Sequence, residues 1–583
     1  MADPTPTARA HGRSLTDFAP LSAAEQKLLA CARSGAVCEL DDERPEEPTK
    51  ANTIRAGLIR FLALGGDDAN PVHEAGVQLL GAWVNDQLDL TAAIATRQLD
   101  IKRSRFEKPI TAERAHLPAF HLGGSYVPGI VADGCIISDC LFLRDGFCAK
   151  GEVSLIGAKI RGNFECTGGM FENGKGSALS ADGISVGGGV FLHKGFSALG
   201  EVSLSVAQIG GGLFCGEGRF ENVRGRALTA DGIKVAGDVI LNNHFKAKGA
   251  VRLLSAQISG NLDCSGGRFE NAGGDALIAQ GATVKGSFFF RRVTIVKGWV
   301  DLNAAHVGSL ADDAASWPEN ALILDGFAYD RIATGATDAA TRIAWLNKQY
   351  PRYLNEDFRP QPWEQLIKVL REMGHGRDAN EVAIAKQHAL RAAKKIGTRR
   401  ARTDFRYGWR RWLDRLWNGV SNFVARRFHD IYGLLAGYGY RPVRILLWVL
   451  GLWLASGLAF HEAAMMGKMA PSNPILYAHE AGADVDVTTC GVIGDVDYSH
   501  YWVRCAGMPA EYTTFSPLGY AADMILPLVN LQQDTEWGPV VSNAKGPLYW
   551  GVVTRWLGWL DIVLGWLASL MFVAIVSRLV EKD

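Results

Sequence analysis

The chain has 583 residues, 48% of them hydrophobic, and its 61 basic side chains balance its 61 acidic ones. This length predicts three or four domains with buried cores. The zero balance argues neither for nor against nucleic acid, so the local distribution of charge matters more. We expect no secretory signal, because residues 1–14 are polar and form a predicted disordered tail, and we expect the cysteines of the first half to remain cytoplasmic thiols.

Residues 15–75 are predicted to form a helical cap. LSAAEQKLLACARSG, from Leu21, and TIRAGLIRFLALGG, from Thr53, both place apolar residues at helical spacing and end at glycine. These helices are expected to cover the first turn of the repeat array that follows, because an open array would expose a sheet edge and an apolar core.

A 49-residue repeat dominates residues 76–330. GEVSLIGAKIRGNFECTGG at Gly151 returns as GEVSLSVAQIGGGLFCGEG at Gly200 and as GAVRLLSAQISGNLDCSGG at Gly249. Each unit splits into halves of 26 and 23 residues with apolar residues at every second position. This alternation predicts a parallel β-helix (β-solenoid) with one coil per half. We expect about ten coils, beginning near Gly76 and irregular between Thr91 and Pro128.

The cysteines of the repeat recur at one position of alternate coils. Cys166, Cys215 and Cys264 would lie about 9.6 Å apart, with leucines between them, which is too far for a disulfide or a shared zinc ion. We predict that they are core residues. The triple-glycine runs at Gly187 and Gly210 are predicted to allow tight coil packing and not to bind phosphate. The repeat therefore predicts no catalytic residue, metal site or cofactor.

The motif FEN recurs with the repeat. Its asparagines, at 173, 222 and 271, are suited to turns in which the side chain bonds nearby backbone. Its glutamates, at 172, 221 and 270, could form a cation-binding stripe, but a solvated row at the turns is the favoured interpretation.

Helix-forming residues replace glycine after residue 337. Residues 337–398 are predicted to form a helical hairpin, with one helix from Pro362 to Met373 and another from Asp378 to Lys395. This hairpin is expected to cap the C-terminal end of the β-helix.

Residues 399–440 predict a basic amphipathic helix. Between Arg391 and Arg444 there are fourteen Lys and Arg against three Asp, interleaved with tryptophan and phenylalanine. This pattern is typical of a helix on an anionic membrane surface, and nucleic acid is disfavoured because the adjoining apolar spans account for the charge. The candidate contacts with lipid headgroups are Arg406, Arg410, Arg411, Arg415, Arg426 and Arg427.

Residues 441–583 predict a two-span membrane module. Residues 445–460 with their flanks, and residues 556–577, are long and apolar enough to cross a bilayer. The basic flanks and the acidic loop 467–548 predict that both termini are cytoplasmic. Cys490 and Cys505 would then face the oxidising side, where a disulfide is expected and an unpaired pair is the alternative.

The loop contains a short apolar segment, TTFSPLGYAADMILPLVNLQQDTEW. A helix from Pro517 would be stopped by Pro527, leaving residues 528–531 extended with free carbonyls. The order of span, re-entrant helix, extended segment and span is that of pore-loop channels, and a hairpin anchor is the alternative. The candidate pore-lining residues are Asp523, Pro527, Leu528, Val529, Asn530 and, in the second span, Asp561.

Three blocks carry a resemblance to a known group of proteins. PWEQLIKVLREMGHGRDANEVAIAKQ, LLAGYGYRPVRILLW and FSPLGYAADMILPLVNL resemble bacterial membrane proteins that join pentapeptide-like β-helices to a two-span, pore-loop-like C-terminus. Similar sequences carry the label membrane-associated oxidoreductase, and some are called ion channels. The coils of 23 and 26 residues depart from the 20-residue square coil of strict pentapeptide repeats.

The sequence thus predicts a multi-pass protein of the bacterial inner membrane. We expect a cytoplasmic β-solenoid that senses a protein or small molecule, joined to an ion-channel module that requires a homo-oligomer, most simply a tetramer. One alternative is a membrane-anchored interaction scaffold without transport. A second alternative, an oxidoreductase, depends only on the resemblance.

Overall fold

The computed structural model describes residues 13–396, 408–472, 512–541 and 550–580, together with 492–493, 496–497, 502–504 and 508. The chain forms two compact units, Met1–Ala393 and Lys394–Asp583. The first contains a parallel β-solenoid, as the repeat predicts, and it has about 11 turns where about ten were expected.

Two long parallel sheets build the solenoid, and their members pair from one coil to the next. The first sheet consists of Cys38–Glu39, Val77–Leu80, Leu99–Lys102, His116–Leu117, Phe120–His121, Ile136–Ile137, Leu141–Phe142, Lys159–Ile160, Phe164–Glu165, Ser185–Val186, Val190–Phe191, Gln208–Ile209, Leu213–Phe214, Lys234–Val235, Val239–Ile240, Gln257–Ile258, Leu262–Asp263, Thr283–Phe290, His306–Asp312 and Ala328–Thr334. The second consists of Thr53–Arg55, Trp83–Asn85, Arg105–Phe106, Ile110–Thr111, Tyr126–Val127, Ile130–Val131, Cys148–Ala149, Val153–Ser154, Met170–Ser180, Ser197–Ser203, Arg219–Thr229, Lys246–Arg252, Arg268–Ile278, Thr294–Asp301 and Leu322–Ile323.

The N-terminal cap contains two helices, α1 (Ala23–Ser34) and α2 (Ala56–Ala63). A small antiparallel hairpin pairs Gly66–Asp67 with Asn70–Pro71. The β-helix starts earlier than the predicted Gly76, because Cys38 pairs with Leu79 and Thr53 pairs with Trp83. The chain between the two helices therefore already supplies a strand to each sheet.

The predicted irregularity between Thr91 and Pro128 is wrong. Leu99 pairs with Phe120, and Phe120 pairs with Leu141, so consecutive coils here are each 21 residues long. Buried residues follow one another at five-residue intervals through this part of the chain: Ala112, Leu117, Leu122, Val127, Ala132 and Ile137. Each such coil carries four short strands, and five residues separate one inward-facing position from the next.

The alternation of longer and shorter coils has a local cause in the FEN turn. The side chain of Asn222 donates a hydrogen bond to the carbonyl of Arg226 (2.9 Å), which closes a bulge in the longer coil. In the next coil Gly249 has φ 121°, and a Cβ there would lie 2.5 Å from the carbonyl oxygen of Asn222. Only glycine fits beneath the bulge. Asn173 with Gly200 and Asn271 with Gly298 repeat the arrangement.

Four helices follow the last coil: α3 (Ala339–Asn347), α4 (Pro351–Leu354), α5 (Gln361–Glu372) and α6 (Gly376–Ala392). The helices α5 and α6 are the predicted hairpin. Gln365 of α5 donates to the carbonyl of Tyr329 in the last strand (2.7 Å), which satisfies part of the open sheet edge. Arg342 of α3 forms a buried ion pair with Asp312 (2.8 Å), so these helices close the C-terminal end of the β-helix.

The second unit is mainly helical. It contains α7 (Gly408–Ala436), α8 (Val443–Met465), α9 (Pro517–Ile525), α10 (Gln533–Glu536) and α11 (Trp550–Val580). Two short antiparallel ribbons accompany them, Met469–Pro471 with Trp537–Pro539 and Val492–Ile493 with Val496–Asp497. Among the described residues, two helices are long and apolar enough to cross a membrane, namely α8 and residues 550–577 of α11.

Candidate functional site

The short helix α9 packs against both long apolar helices. Its N-cap, Ser516, accepts a hydrogen bond from the backbone of Gly519 (3.1 Å), and Pro517 occupies the first turn, where the missing N–H is not needed. The indole N–H of Trp453 in α8 donates to the carbonyl of Leu518 (2.8 Å). A short helix between two long apolar helices, in the order predicted from the sequence, is therefore present as a packed unit.

The helix α9 packs closely against a glycine in each long helix, Gly457 of α8 and Gly565 of α11. A Cβ at Gly457 of α8 would lie 2.5 Å from the side chain of Leu518, and a Cβ at Gly565 of α11 would lie 1.9 Å from the carbonyl oxygen of Ile525. Gly565 is residue 16 of the 31 residues of α11. The C-terminal end of α9 therefore meets α11 near its middle.

Asp523 is buried on α9, and its carboxylate organises the segment that follows. One oxygen accepts from the backbone N–H of Leu531 (2.7 Å), and the other accepts from Gln533 (2.8 Å) and Asp534 (3.0 Å). Charge-assisted hydrogen bonds to backbone N–H groups are among the stronger ones in proteins. Within one chain Asp523 holds the returning segment against α9, and its predicted place in a pore stays a prediction.

The segment between α9 and α10 is exposed and differs in one detail from the prediction. Residues 526–529 form a turn, in which Val529 donates to the carbonyl of Leu526 (3.2 Å), so Leu528 lies in a turn and not in an extended run. Among the described residues, no backbone hydrogen bond ends on the carbonyls of residues 527–531. The side chain of Leu528 is 93% exposed.

The orientation of these carbonyls follows from the Asp523 contacts. In a trans peptide the N–H of one residue and the C=O of the preceding residue point in opposite directions. Because the N–H of Leu531 points at Asp523, the carbonyl of Asn530 points away from α9. The side chain of Asn530 accepts from the backbone of Gln532 (2.8 Å), which fixes the bend before α10.

Asp534 lies beside Asp523. Partial burial raises the pKa of the Asp534 carboxyl, and the nearby charge of Asp523 and a hydrogen bond with it raise it further. The Asp534 carboxyl therefore holds a proton more readily than an ordinary aspartate does.

Asp561 joins the two long helices. Its side chain is completely buried, and one carboxyl oxygen accepts from the hydroxyl of Ser456 in α8 (2.9 Å). Its other oxygen is buried without a hydrogen-bond partner among the described residues. The sequence left open whether Asp561 faces an interface or an interior, and within this unit it faces α8.

Several residues of this site were missed in the sequence. Ser456 and Gly565 resemble any small residue of an apolar helix. Gln533 holds the N-terminal side of α9, because its side chain accepts from Ser516 (2.9 Å) and donates to the carbonyl of Thr514 (3.1 Å). The polar run QQDTEW that ends the apolar segment was the available signal for such a brace.

The structure does not describe the side chains of most residues predicted to form a disulfide or to contact lipid headgroups. Cys490, Cys505 and Arg406 lie outside the described residues, and so do the side chains of Arg410, Arg411 and Arg415. Arg426 and Arg427 are exposed on α7.

The repeated cysteines of the β-helix are core residues, as predicted. Cys166, Cys215 and Cys264 are fully buried, and burial raises the pKa of each thiol. Cys38 was not singled out in the sequence, although it contacts Cys31, and burial together with that neighbour raises its pKa to about 12.

Each glutamate of the FEN row has a basic partner within the β-helix. Glu221 of the FEN row forms ion pairs with Arg219 (2.7 Å) and Lys248 (3.0 Å). Across the part of the chain that the structure describes, no three His, Cys, Asp or Glu side chains come together as a metal site.

Comparison with protein-family models, with curated proteins and with solved structures found no match. The fold agrees with the resemblance in its β-solenoid and its two apolar helices, and nothing beyond that agreement ties the chain to a family.

Proposed function

We propose that the second unit is the subunit of a homo-oligomeric ion pore in a membrane. The observation that carries the proposal is the contact of the Ile525 carbonyl with Gly565 at the middle of α11. Counting 1.5 Å per residue from Trp550, this contact lies about 22 Å along the helix. If α11 crosses a bilayer whose apolar core is about 30 Å thick, the end of α9 lies deep within it.

Non-helical backbone at that depth needs a polar environment. Backbone within the hydrocarbon is tolerated only where protein covers it or where it lines a water-filled cavity. The carbonyls of residues 527–531 have no internal partner among the described residues, and that of Asn530 is directed away from α9. A ring of such carbonyls around an aqueous path satisfies the requirement and is the arrangement by which pores coordinate cations.

One subunit cannot supply that environment, because two spans do not enclose a path. The exposed side chains of Leu526, Leu528, Val529 and Leu531 form an apolar surface beside the free carbonyls. Packing this surface against further copies around a symmetry axis would cover it and bring the carbonyls together. We therefore propose a closed homo-oligomer, most simply a tetramer.

The proposal also assigns a role to the β-helix and a cellular location to the protein. The β-helix would be a sensing or partner-binding domain, since such rods present long repetitive faces. The charge distribution favours cytoplasmic termini, and the resemblance to bacterial membrane proteins favours a bacterial inner membrane.

The test uses the full chain reconstituted in liposomes. Oligomeric state is measured by cross-linking in lipid, and ion flux by planar-bilayer current. Leu528→Cys, treated with a charged thiol reagent, is expected to block the current, while wild-type protein treated in the same way controls for native cysteines. Asn530→Ala is expected to alter conductance, and Thr535→Ala, an exposed residue in the adjacent helix α10, is the matched control.

Two experimental outcomes would favour the scaffold or the oxidoreductase over the pore. A strict monomer in lipid without current would contradict the pore and favour a membrane-anchored scaffold. A bound flavin, haem or nicotinamide detected by absorbance would favour the oxidoreductase alternative.

A further inference from the structure

The helix α7 presents an apolar face that the described residues leave exposed. At 100° per residue, seven exposed apolar side chains fall within an arc of about 120°. They are Leu416, Trp417, Val420, Phe423, Val424, Ile431 and Leu434, and Trp417 is 68% exposed. An amphipathic helix with such a face requires an apolar environment along that side.

The chain changes direction between α7 and the first long apolar helix. Gly437, Tyr438 and Gly439 all have positive φ, of 55°, 57° and 86°, and Pro442 precedes α8. Three left-handed residues in succession end a right-handed helix, so α8 does not continue α7. The ring of Tyr438 packs back against His429 of α7 (4.5 Å), which fixes the reversal.

The C-terminal end of α7 is anchored at the ends of both long helices. Ala436 packs with Ile445, in the first turn of α8, and with Ile575, in the last part of α11. If the two helices cross a membrane, α7 leaves them at one membrane surface. Exposed apolar side chains continue past the break on α8, at Val443, Leu446 and Leu447.

The charges of α7 favour lipid as the occupant over a second copy. Arg426 and Arg427 are exposed at or beside the apolar arc, and the guanidinium of Arg427 lies 5.3 Å from the ring of Phe423. Arg410, Arg411 and Arg415 precede them in the sequence of the same helix. Packing this face against its own copy would bring like charges together, which disfavours association. Anionic headgroups complement the same charges.

We propose that α7 lies in the plane of the membrane surface. Its apolar arc contacts the acyl boundary, and Arg426 and Arg427 contact anionic lipid headgroups. The inference uses the membrane location of α8 and α11 and is independent of ion conduction. Absence of current in the pore experiment would therefore not contradict the membrane-surface position of α7. Lipid contact at α7, in turn, does not by itself support a pore.

The test places a photo-cross-linking amino acid in the full chain at Val420 or Val424 of the arc, or at the matched positions Asn422 and Ala425 on the other side of α7. The protein is reconstituted in vesicles of phosphatidylcholine with phosphatidylglycerol, and adducts are identified by mass spectrometry. Lipid adducts are expected from Val420 and Val424, with much lower yields from the other two. Adducts to a second copy at Val420 and Val424, or equal lipid yields on both sides, would overturn the proposal.

A charge comparison tests the headgroup contact. Each basic residue near an anionic surface contributes about 1 kcal/mol, or about a fivefold change in equilibrium constant. Arg426→Gln with Arg427→Gln is therefore expected to reduce the lipid adducts from Val424 to the level found in pure phosphatidylcholine. Unchanged adducts in both lipids would refute the contact with anionic headgroups. Size-exclusion chromatography of each variant establishes that it is folded.

Discussion

The carboxylate of Asp523 accepts the backbone N–H of Leu531 at 2.7 Å, across the turn that follows α9. With the bonds to Gln533 and Asp534, this contact makes Asp523 the brace of the returning segment. A buried carboxylate that is fully engaged with backbone donors is suited to holding a loop in one conformation.

Removal of this brace should release the segment. Each hydrogen bond to a charged group contributes about 1.5 kcal/mol or more, so Asp523→Ala should speed amide exchange at Leu531 and Gln533 at least about tenfold. Hydrogen exchange of the full chain in detergent, read by mass spectrometry, measures this. Asp534→Asn is the control and should leave these amides protected. Equal exchange in wild type and Asp523→Ala would contradict the assigned role.

The contact of α9 with α11 depends on a missing side chain. Gly565→Ala would place a Cβ 1.9 Å from the Ile525 carbonyl oxygen, and overpacking of this kind destabilises by about 1–3 kcal/mol. We expect a lower unfolding temperature and faster exchange in α9. Gly558→Ala on the same helix is the control, because its nearest neighbour, the sulfur of Met524, is 3.7 Å away. A larger effect at Gly558 than at Gly565 would exclude this packing.

The bond between Ser456 and Asp561 should couple α8 to α11. Interhelical hydrogen bonds of this kind contribute about 0.6 kcal/mol, and at most about 1.7. A double-mutant cycle with Ser456→Ala and Asp561→Asn, followed by unfolding in detergent micelles, measures the coupling free energy. Strict additivity of the two substitutions would show that the residues do not interact.

The glycine beneath the FEN bulge is expected to be irreplaceable. Gly249→Ala combines φ 121° with a Cβ 2.5 Å from the Asn222 carbonyl oxygen, and strain of this type costs about 1–3 kcal/mol. The solenoid should unfold at a lower temperature by calorimetry. Gly273→Ala, in the bulge of another coil, meets nothing within 4 Å and should be nearly neutral. Similar unfolding temperatures for the two variants would contradict the explanation.

The core thiols should be unreactive in the folded protein. Burial, together with the nearby charge of Asp133, raises the pKa of Cys135 to about 12. Thiolate is the reactive form, and its fraction falls tenfold for each pH unit below the pKa, so at pH 8 it is about one in ten thousand. Iodoacetamide should label Cys135 only after unfolding, with a folded-state rate that rises as pH rises. Rapid labelling of folded protein at pH 8 would reopen a redox role.

The sequence alone determined the elements whose side-chain pattern is periodic. The 49-residue interval, with apolar residues at alternate positions, required stacked coils, and the long apolar runs required α8 and α11. Pro517 and Pro527 bounded α9 because proline is tolerated in the first turn of a helix and disfavoured in its interior. The five-residue period from Ala112 to Ile137 is an equally strong signal for regular coils, and it is independent of the 49-residue interval.

Only the tertiary structure decided which polar groups meet. Asp523 and Leu531 are eight residues apart, and Ser456 and Asp561 are 105 apart, so neither pair follows from a periodic pattern. Gly565 is needed because the Ile525 carbonyl of α9 approaches that position. The sequence of an apolar helix does not show which segment packs against its glycine. Local propensity and periodicity act along the chain, whereas the Asp523 brace and the contacts of α9 with α8 and α11 depend on close packing between segments that the sequence leaves far apart.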